Sequence, residues 1–107
     1  MSGIAHGELE KTDDWTIFCR STMPRTDCKV TCTANEDAAS YNVGGVIFTN
    51  IHAGDVVCAD GINGRLLVND APPVDPVRFM SFPYLTPGWQ TIEATDYPYI
   101  EYYPAYI

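Results

Sequence analysis

The fold class of this chain is clearest in one stretch, Ile51-His-Ala-Gly-Asp-Val-Val-Cys-Ala-Asp-Gly-Ile-Asn-Gly-Arg-Leu-Leu-Val-Asn69. It contains two short runs rich in β-branched and aliphatic residues, 55–60 and 65–69, which suit a pleated and half-buried surface. Between them, Asp60-Gly-Ile-Asn-Gly64 supplies residue types that tolerate a tight reversal of the chain. The stretch therefore predicts a β-hairpin.

A strand with strict alternation is predicted at Cys28–Thr33, where Cys28, Val30 and Cys32 would share the inner face of a sheet. Extended chain places the Cα atoms of Cys28 and Cys32 about 13 Å apart. A disulfide requires about 7 Å or less, and a single zinc ion lies only about 2.3 Å from each sulfur. We therefore predict buried thiols that pack as small apolar groups. In an oxidising sample, a long-range pair such as Cys19 with Cys58 stays open.

Turn and strand signals recur along the rest of the chain. Strands are predicted at Trp15–Arg20 and at Tyr41–Asn50, the second interrupted by a bulge or bend at Gly44-Gly45. Asp70–Val77 contains three prolines and predicts an extended surface connection, because proline cannot donate a hydrogen bond to a sheet. Phe82–Ile92 then predicts a second hairpin, with a proline and a glycine placed for a type II turn.

The last strand is predicted in the tyrosine-rich segment Asp96–Ile107. Side chains alternate between the two faces of a strand, so one face would carry Pro98, Ile100 and Tyr102. The opposite face would carry Tyr97, Tyr99, Glu101 and Tyr103. Proline lacks the N–H group that a ladder needs, so Pro98 and Pro104 would confine pairing to part of this strand or to a sheet edge.

Together these elements predict one domain with an all-β fold, an antiparallel β-sandwich or jelly roll with little or no helix. A chain of 107 residues is long enough to bury a single core. Residues 14–107 would form the sandwich. Residues 1–13 are polar and show no periodicity, so they predict a flexible N-terminal arm.

The chain is strongly acidic, with 14 Asp and Glu residues against six Lys and Arg and a net charge of −8. Such a surface repels phosphate backbones and anionic lipid headgroups, so nucleic-acid binding is not expected. No apolar run approaches the roughly 18 residues of a membrane helix. Residues 1–11 also lack the apolar region of a signal peptide. We therefore expect no membrane insertion, and folding in the cytoplasm of the producing cell.

The sequence contains no nucleophile elbow, phosphate-binding loop, dinucleotide motif or zinc motif. Asp60-Gly-Ile-Asn63 resembles part of a calcium loop, but the alternating acids and the closing glutamate are missing, and a turn-forming aspartate explains it better. His6 lies in the predicted arm and His52 lies beside a predicted turn, so neither marks a site. Acids such as Asp13-Asp14 are sequence neighbours rather than facing groups. No catalytic residue, metal ligand or cofactor is predicted, and we do not expect an enzyme.

Aromatic residues are the best candidates for a functional contact. Tyrosine and tryptophan combine an apolar ring with a polar group, which suits both protein interfaces and sugar rings. Trp89 follows the Pro87-Gly88 turn and is expected to be exposed. Tyr97, Tyr99 and Tyr103 would form a ladder on the outer face of the last strand. Packing in the core and along sheet edges is the alternative explanation for these rings.

Several of these segments resemble, in order and in spacing, the C-terminal domain of siphophage distal tail proteins. Ala53-Gly-Asp-Val-Val-Cys-Ala-Asp-Gly-Ile-Asn-Gly64 is similar to a "GD-hydrophobic-DG-IN" hairpin in that family. The matching segments after it are Val68-Asn69, Phe82-Pro-Tyr-Leu-Thr-Pro-Gly88, Thr91-Ile92 and Ile100-Glu-Tyr-Tyr-Pro104. Thr26–Val30 and Gly44-Gly45 also suit the earlier strands, so the resemblance covers about residues 14–107.

The resemblance implies a galectin-like β-sandwich that faces outward from the tail tip or baseplate of a phage or prophage. It implies a structural component that folds in the cytoplasm of the bacterial host and then docks to other tail or baseplate proteins in the virion. The alternative is a carbohydrate-binding module that contacts the host cell-wall polysaccharide. Trp89 stands where the family usually has a polar residue, which makes it the leading candidate for a specific contact.

Proteins of this family usually also carry an N-terminal belt domain that forms a hexameric hub, and 107 residues leave no room for one. An oligomer is therefore expected only where a belt domain is present elsewhere. Two interpretations of the N-terminus stay open: Met1-Ser2-Gly3 is an addition to an excised domain, or the chain is a reduced homologue.

Overall fold

The computed structural model describes residues 5–106, with side chains from Gly7 onward. These residues form thirteen strands and no helix, and so no helix long and apolar enough to cross a membrane. The strands are β1 Ala5–His6, β2 Glu10–Asp13, β3 Thr16–Cys19, β4 Thr26–Thr33, β5 Ala38–Val43, β6 Val46–Ile51, β7 Val56–Asp60, β8 Arg65–Val68, β9 Val77–Arg78, β10 Tyr84–Leu85, β11 Gly88–Thr91, β12 Tyr99–Tyr102 and β13 Ala105–Tyr106.

Six strands form the larger sheet, with β2, β12, β4, β7 and β8 side by side and β10 paired with the first residues of β4. Strand β4 lies in the middle and alternates as predicted. Cys28, Val30 and Cys32 are buried, while Lys29 and Thr31 are partly exposed on the outer face. The predicted β7–β8 hairpin is also confirmed, with Asp60 paired to Arg65 next to the turn.

The second layer contains the sheet β5-β6-β9 and the pair β3–β11. A bridge between Val43 and Ala94 links these two groups of strands. Side chains from both layers meet in one core, whose largest fully buried members are Tyr41, Tyr102, Phe48, Ile17, Leu85 and Ile100. The predicted all-β antiparallel sandwich is therefore confirmed.

The predicted bulge at Gly44-Gly45 is wrong, because these residues form the turn of a second hairpin, β5–β6. Both glycines have positive φ, 62° and 92°, which is the combination that a two-residue type I′ turn requires. A side chain at Gly44 would also collide with a neighbouring loop, since its Cβ would lie 2.9 Å from the Cβ of Pro83. The chain therefore reverses fully here instead of bending within one strand.

The predicted hairpin at Phe82–Ile92 is also wrong, because its two strands join different sheets. Strand β10 pairs with β4, whereas β11 pairs with β3. The side chain of Gln90 bonds the backbone of Thr86 between the two strands. Its side-chain amide accepts a hydrogen bond from Thr86 N–H at 3.0 Å and donates one to Thr86 O, so Thr86 needs no partner strand. The turn at Pro87-Gly88 instead carries the chain from one layer to the other.

The expectation of a loose N-terminal arm is corrected by strand β2. Glu10–Asp13 pairs with the whole length of β12, so β12 lies inside the sheet with Pro98 and Pro104 just beyond its paired residues. Residues 5 and 6 pair with β13. Strand β2 is polar because it is an edge strand, where charged side chains discourage pairing with other chains. Residues 1–4, including Met1-Ser2-Gly3, lie outside the described part of the chain.

Tyr102 connects the two layers. Its ring is buried on β12, and its hydroxyl accepts a hydrogen bond from Arg20 N–H at 3.0 Å and donates one to Phe18 O at 3.2 Å. Both partners belong to β3 or follow it directly. Burial raises the pKa of the Tyr102 hydroxyl, which therefore keeps its proton for donation at neutral pH.

Replacing Tyr102 by phenylalanine removes this hydroxyl and leaves two backbone groups without their partner. We expect Tyr102→Phe to lower the free energy of unfolding by about 1–3 kcal/mol, measured by urea denaturation. The matched control is Tyr99→Phe, which removes an exposed hydroxyl from the same strand and should change stability by no more than about 0.5 kcal/mol. Equal effects of the two substitutions would contradict the role of Tyr102.

Candidate functional site

Trp89 is exposed, as predicted, and it stands beside a second aromatic ring. It lies on β11 with 74% of its surface exposed. Its register partner on β3 is Phe18, and the two rings meet edge to face with their centroids 5.3 Å apart. Phe18 is itself 48% exposed. These two residues, the Trp89–Phe18 pair, form an apolar surface whose rings hold each other in place.

The predicted tyrosine face exists, but it does not include Trp89. Tyr97, Tyr99 and Tyr103 are exposed, while the residues between them are more buried. These tyrosines belong to the β12 segment of the larger sheet, whereas Trp89 belongs to the second layer. Tyr97 packs edge to face against Trp15, with 4.3 Å between ring centroids. The four predicted contact residues are therefore divided between separate surfaces.

A groove of about 440 Å³ opens beside Tyr103. The register of the larger sheet explains its position. Tyr102 pairs with Cys28, so the next residues in the ladder, Tyr103 and Asp27, are brought together where β4 begins. The Tyr103 groove is lined by Met23, Arg25, Thr26, Asp27, Ile62, Tyr103 and Ala105.

The polar groups of the Tyr103 groove are held by neighbouring side chains. Arg25 Nε lies 3.6 Å from Asp27 Oδ1, and both side chains are about half exposed. The guanidinium carbon of Arg25 lies 4.3 Å above the ring centre of Tyr84, which is a cation–π contact. The stacking restricts the plane of the guanidinium and leaves several of its N–H donors free to meet a ligand.

The part of the groove that contains Met23 and Ala105 is held by hydrogen bonds to Ala105. Ala105 N–H donates to the buried hydroxyl of Ser21 at 2.9 Å, and Ala105 O accepts from Thr22 N–H at 2.9 Å. Met23 N–H also donates to Ala105 O, at 3.3 Å. The loop that carries Met23 is therefore fastened to the C-terminal segment that carries Tyr103.

Asp60 shapes the turn that places Ile62 in the groove. Its buried carboxylate accepts hydrogen bonds at 3.0 Å from the N–H groups of Ile62 and Asn63 and from the side-chain amide of Asn63. This confirms the turn-forming role predicted for Asp60. Burial alone would raise the pKa of Asp60, but the hydrogen bonds from Asn63, the charge of Lys29 and the Ile62 N–H together hold that pKa below its ordinary value.

Gly61 allows the same turn to pass against the rest of the sheet. A Cβ at this position would lie 2.8 Å from both Cys28 O and Pro83 O. Gly61 N–H donates to Cys28 O at 2.9 Å, and Cys28 N–H donates to Pro83 O at 3.3 Å. Glycine is therefore required for close approach, which brings the turn and the β10 segment together at the start of β4.

Within residues 7–106, no group of three or more His, Cys, Asp or Glu side chains is arranged to hold a metal ion. His52 Nδ1 lies 3.8 Å from Asp55 Oδ2, and the imidazole is largely exposed. The carboxylate of Asp55 accepts hydrogen bonds from His52 N–H and the Asn69 amide, which lower its pKa. The contacts of His52 and Asp55 therefore stabilise the turn before β7. The side chain of His6 lies outside the described residues.

The four cysteines are free and buried, which confirms the predicted thiols. Burial raises the pKa of Cys28 to about 12, with a further contribution from the charge of Asp27. Burial likewise raises the pKa of Cys32 to about 12, with a contribution from Asp96. At neutral pH both groups are therefore uncharged, and they pack in the core as apolar side chains.

Sequence reasoning identified Tyr103 but missed its neighbours. Nothing in the sequence pattern predicts that Arg25 and Asp27 lie beside Tyr103. One signal was available: Asp27 precedes the alternating strand by a single residue, so the same alternation turns it outward. The position of Ile62 depends on the conformation of a turn, which alternation does not describe.

The chain was also compared with known proteins. No protein-family model, curated protein or solved structure matches it.

The hydrogen bonds of Asp60 make stability depend on pH. The folded-state pKa lies below the ordinary value of 3.8, so the contribution of this group is complete above that value and is lost as the pH falls through the folded-state pKa. Asp60→Asn keeps the size of the side chain but removes the titrating group. We expect this variant to be about 1–3 kcal/mol less stable at neutral pH. It should also lose less stability than the native chain on acidification.

Urea denaturation from neutral pH down to about pH 2 measures both effects. The matched control is Asp70→Asn, an exposed aspartate in another turn. Identical pH profiles for Asp60→Asn and the native chain would contradict the role of Asp60.

The hydroxyl of Thr26 generates a prediction of opposite sign. Thr26 is buried, and its Oγ1 is the one buried side-chain polar atom without a hydrogen-bond partner among the described residues. Valine has nearly the same shape without the hydroxyl, so we expect Thr26→Val to raise the free energy of unfolding by about 1 kcal/mol. Thermal or urea denaturation measures the change. The matched control is Thr33→Val, on the exposed face of the same strand, which should leave the free energy of unfolding nearly unchanged. A lower free energy of unfolding for Thr26→Val would contradict the prediction.

Proposed function

We propose that this chain is a non-catalytic docking domain in the tail tip or baseplate of a phage or prophage, where it contacts other tail proteins after folding in the host cytoplasm. The observation that carries this proposal is the Trp89–Phe18 pair. Large aromatic rings left in water cost free energy, and covering them stabilises a complex. Tryptophan and other aromatic residues are also enriched among the residues that dominate binding energy at protein interfaces.

The pair is presented by a rigid support. Gly88 precedes Trp89 with a φ of 98°, and Gln90 on its other side holds the turn through Thr86. Edge contact with Phe18 restricts the rotation of both rings. Little side-chain freedom is therefore left to lose on binding, which favours affinity.

The surroundings of the pair suit a protein partner. Thr16 and Thr91, the next register pair on the same face of β3 and β11, are exposed and uncharged. An apolar centre bordered by polar side chains is the composition of a protein interface. The net charge of −8 favours a partner whose contacting surface is neutral or basic.

The resemblance to distal tail proteins concerns the framework strands of the sandwich and does not extend to the exposed residue Trp89. Its segments correspond to β7 with its turn, to β10 with the crossover at Pro87-Gly88, and to β12, which all build the framework. Trp89 is the departure from that family. A common framework with a different exposed residue is what a docking domain with its own partner requires.

Purified virions from the producing bacterium provide the test. The chain should be detected in the tail fraction by mass spectrometry, and Trp89→Ala should reduce its incorporation by about tenfold, the equivalent of one lost interface anchor. The matched control is Tyr99→Ala, an exposed aromatic residue on the other layer, which should assemble normally. Absence of the chain from virions, or normal incorporation of Trp89→Ala, would contradict the proposal.

A second function is favoured by a specific observation. The Tyr103 groove combines an exposed aromatic ring with side chains able to donate and to accept hydrogen bonds, which is the chemistry of a carbohydrate-binding module. We propose host cell-wall carbohydrate as its ligand class. The two surfaces are separate, so one domain has room for both roles.

A further inference from the structure

We propose that the Tyr103 groove binds an uncharged sugar residue of a glycan, with the pyranose ring against Tyr103 and its hydroxyls towards Arg25 and Asp27. This assignment rests on the carbohydrate-binding function proposed above and names its site and ligand class. The groove also differs from the predicted aromatic face. Only one of the four predicted contact residues, Tyr103, lines it.

The charges of the groove select against ionic ligands. Its charged side chains, Arg25 and Asp27, lie 3.6 Å apart and compensate each other. An anionic ligand would compete with Asp27 for the guanidinium and would approach a chain of net charge −8. A cationic ligand would have to displace Arg25 from Asp27. An uncharged ligand can use both groups without separating them.

The rest of the lining is largely apolar. The apolar surface comes from Met23, Ile62, Ala105 and the ring of Tyr103. The Tyr103 side chain is about half exposed. A pyranose ring has a face of C–H groups that packs against an aromatic ring, and hydroxyls around its rim. The volume of about 440 Å³ lies within the range of small-ligand sites.

The polar groups match the hydroxyl rim. Sugar hydroxyls both donate and accept, so a site for them needs both kinds of partner. The Arg25 guanidinium supplies donors in a plane restricted by Tyr84, and the Asp27 carboxylate supplies acceptors.

The groove is formed before any ligand arrives. Ser21 and the backbone of Thr22 fasten Ala105, and Asp60 holds the turn that carries Ile62. Binding therefore requires little ordering of loops, which is the main way a shallow site gains affinity.

Amide chemical shifts of the ¹⁵N-labelled chain provide the test. The probes are the methyl glycosides of glucose, galactose and N-acetylglucosamine, with glucuronate and glucosamine as charged analogues. We expect at least one neutral glycoside to shift the amides of Asp27, Ile62 and Tyr103, with a Kd of about 1 mM. It should bind more tightly than either charged analogue.

Variants then locate the site. Tyr103→Ala should weaken the neutral glycoside by about tenfold, while Tyr99→Ala and Trp89→Ala should leave its binding unchanged. Asp27→Asn frees the Arg25 guanidinium, so this exposed substitution should weaken the neutral glycoside and strengthen glucuronate. Dispersed amide spectra establish that each variant is folded. If Tyr103→Ala does not fold, the binding of glycosides to Asp27→Asn is the test of the site.

The absence of shifts at the groove with every neutral glycoside would overturn the proposal. Tighter binding of a charged analogue to the native chain, or unchanged neutral binding in Asp27→Asn, would do the same. These results leave the virion test of Trp89→Ala unaffected, so failure of the sugar site is distinguishable from failure of the docking function.

Discussion

The buried hydroxyl of Tyr102 is the contact on which the geometry of this sandwich depends. Apolar burial drives the two layers together, but it is non-directional and does not fix how they are aligned. Tyr102 fixes one alignment because its hydroxyl bonds the backbone of β3 from β12. A second polar tie involves Tyr41, whose hydroxyl donates to Asp96 at 2.8 Å while Asp96 also accepts from Asn35. The bonds of the two buried tyrosines specify a single arrangement because leaving them unmade is costly.

The alignment of the layers determines where chemistry is available on the outside. Strand β12 lies between β2 and β4, so Tyr103 emerges beside Asp27. The pairing of β11 with β3 places Trp89 beside Phe18 on the other layer. The two surfaces differ in kind: one is an exposed pair of aromatic rings, and the other combines an aromatic ring with a compensated charge pair. This difference supports a protein partner for the first and a sugar for the second.

Alternation predicted the inner and outer faces of β4 and β12 correctly, including the burial of Cys28 and Tyr102 and the exposure of Tyr97 and Tyr103. It failed where a strand has no apolar face, as in β2, whose polar residues pair at a sheet edge. It also failed at Gly44-Gly45, since two glycines suit a bulge as well as a type I′ turn. The hairpin predicted at Phe82–Ile92 was wrong for another reason, because its two strands pair with β4 and β3, which are distant in sequence.

Local residue patterns were enough to predict that the chain is all-β, which side chains of its strands face inward, and where most of its turns lie. These properties depend on neighbouring residues, because side-chain direction alternates along an extended strand whichever partner it meets. Which strands are neighbours is a property of the folded chain, and so are the contact of Trp89 with Phe18 and the grouping of Tyr103 with Arg25, Asp27 and Ile62. The pairing of strands depends on contacts between residues far apart in the chain, and no local pattern encodes them.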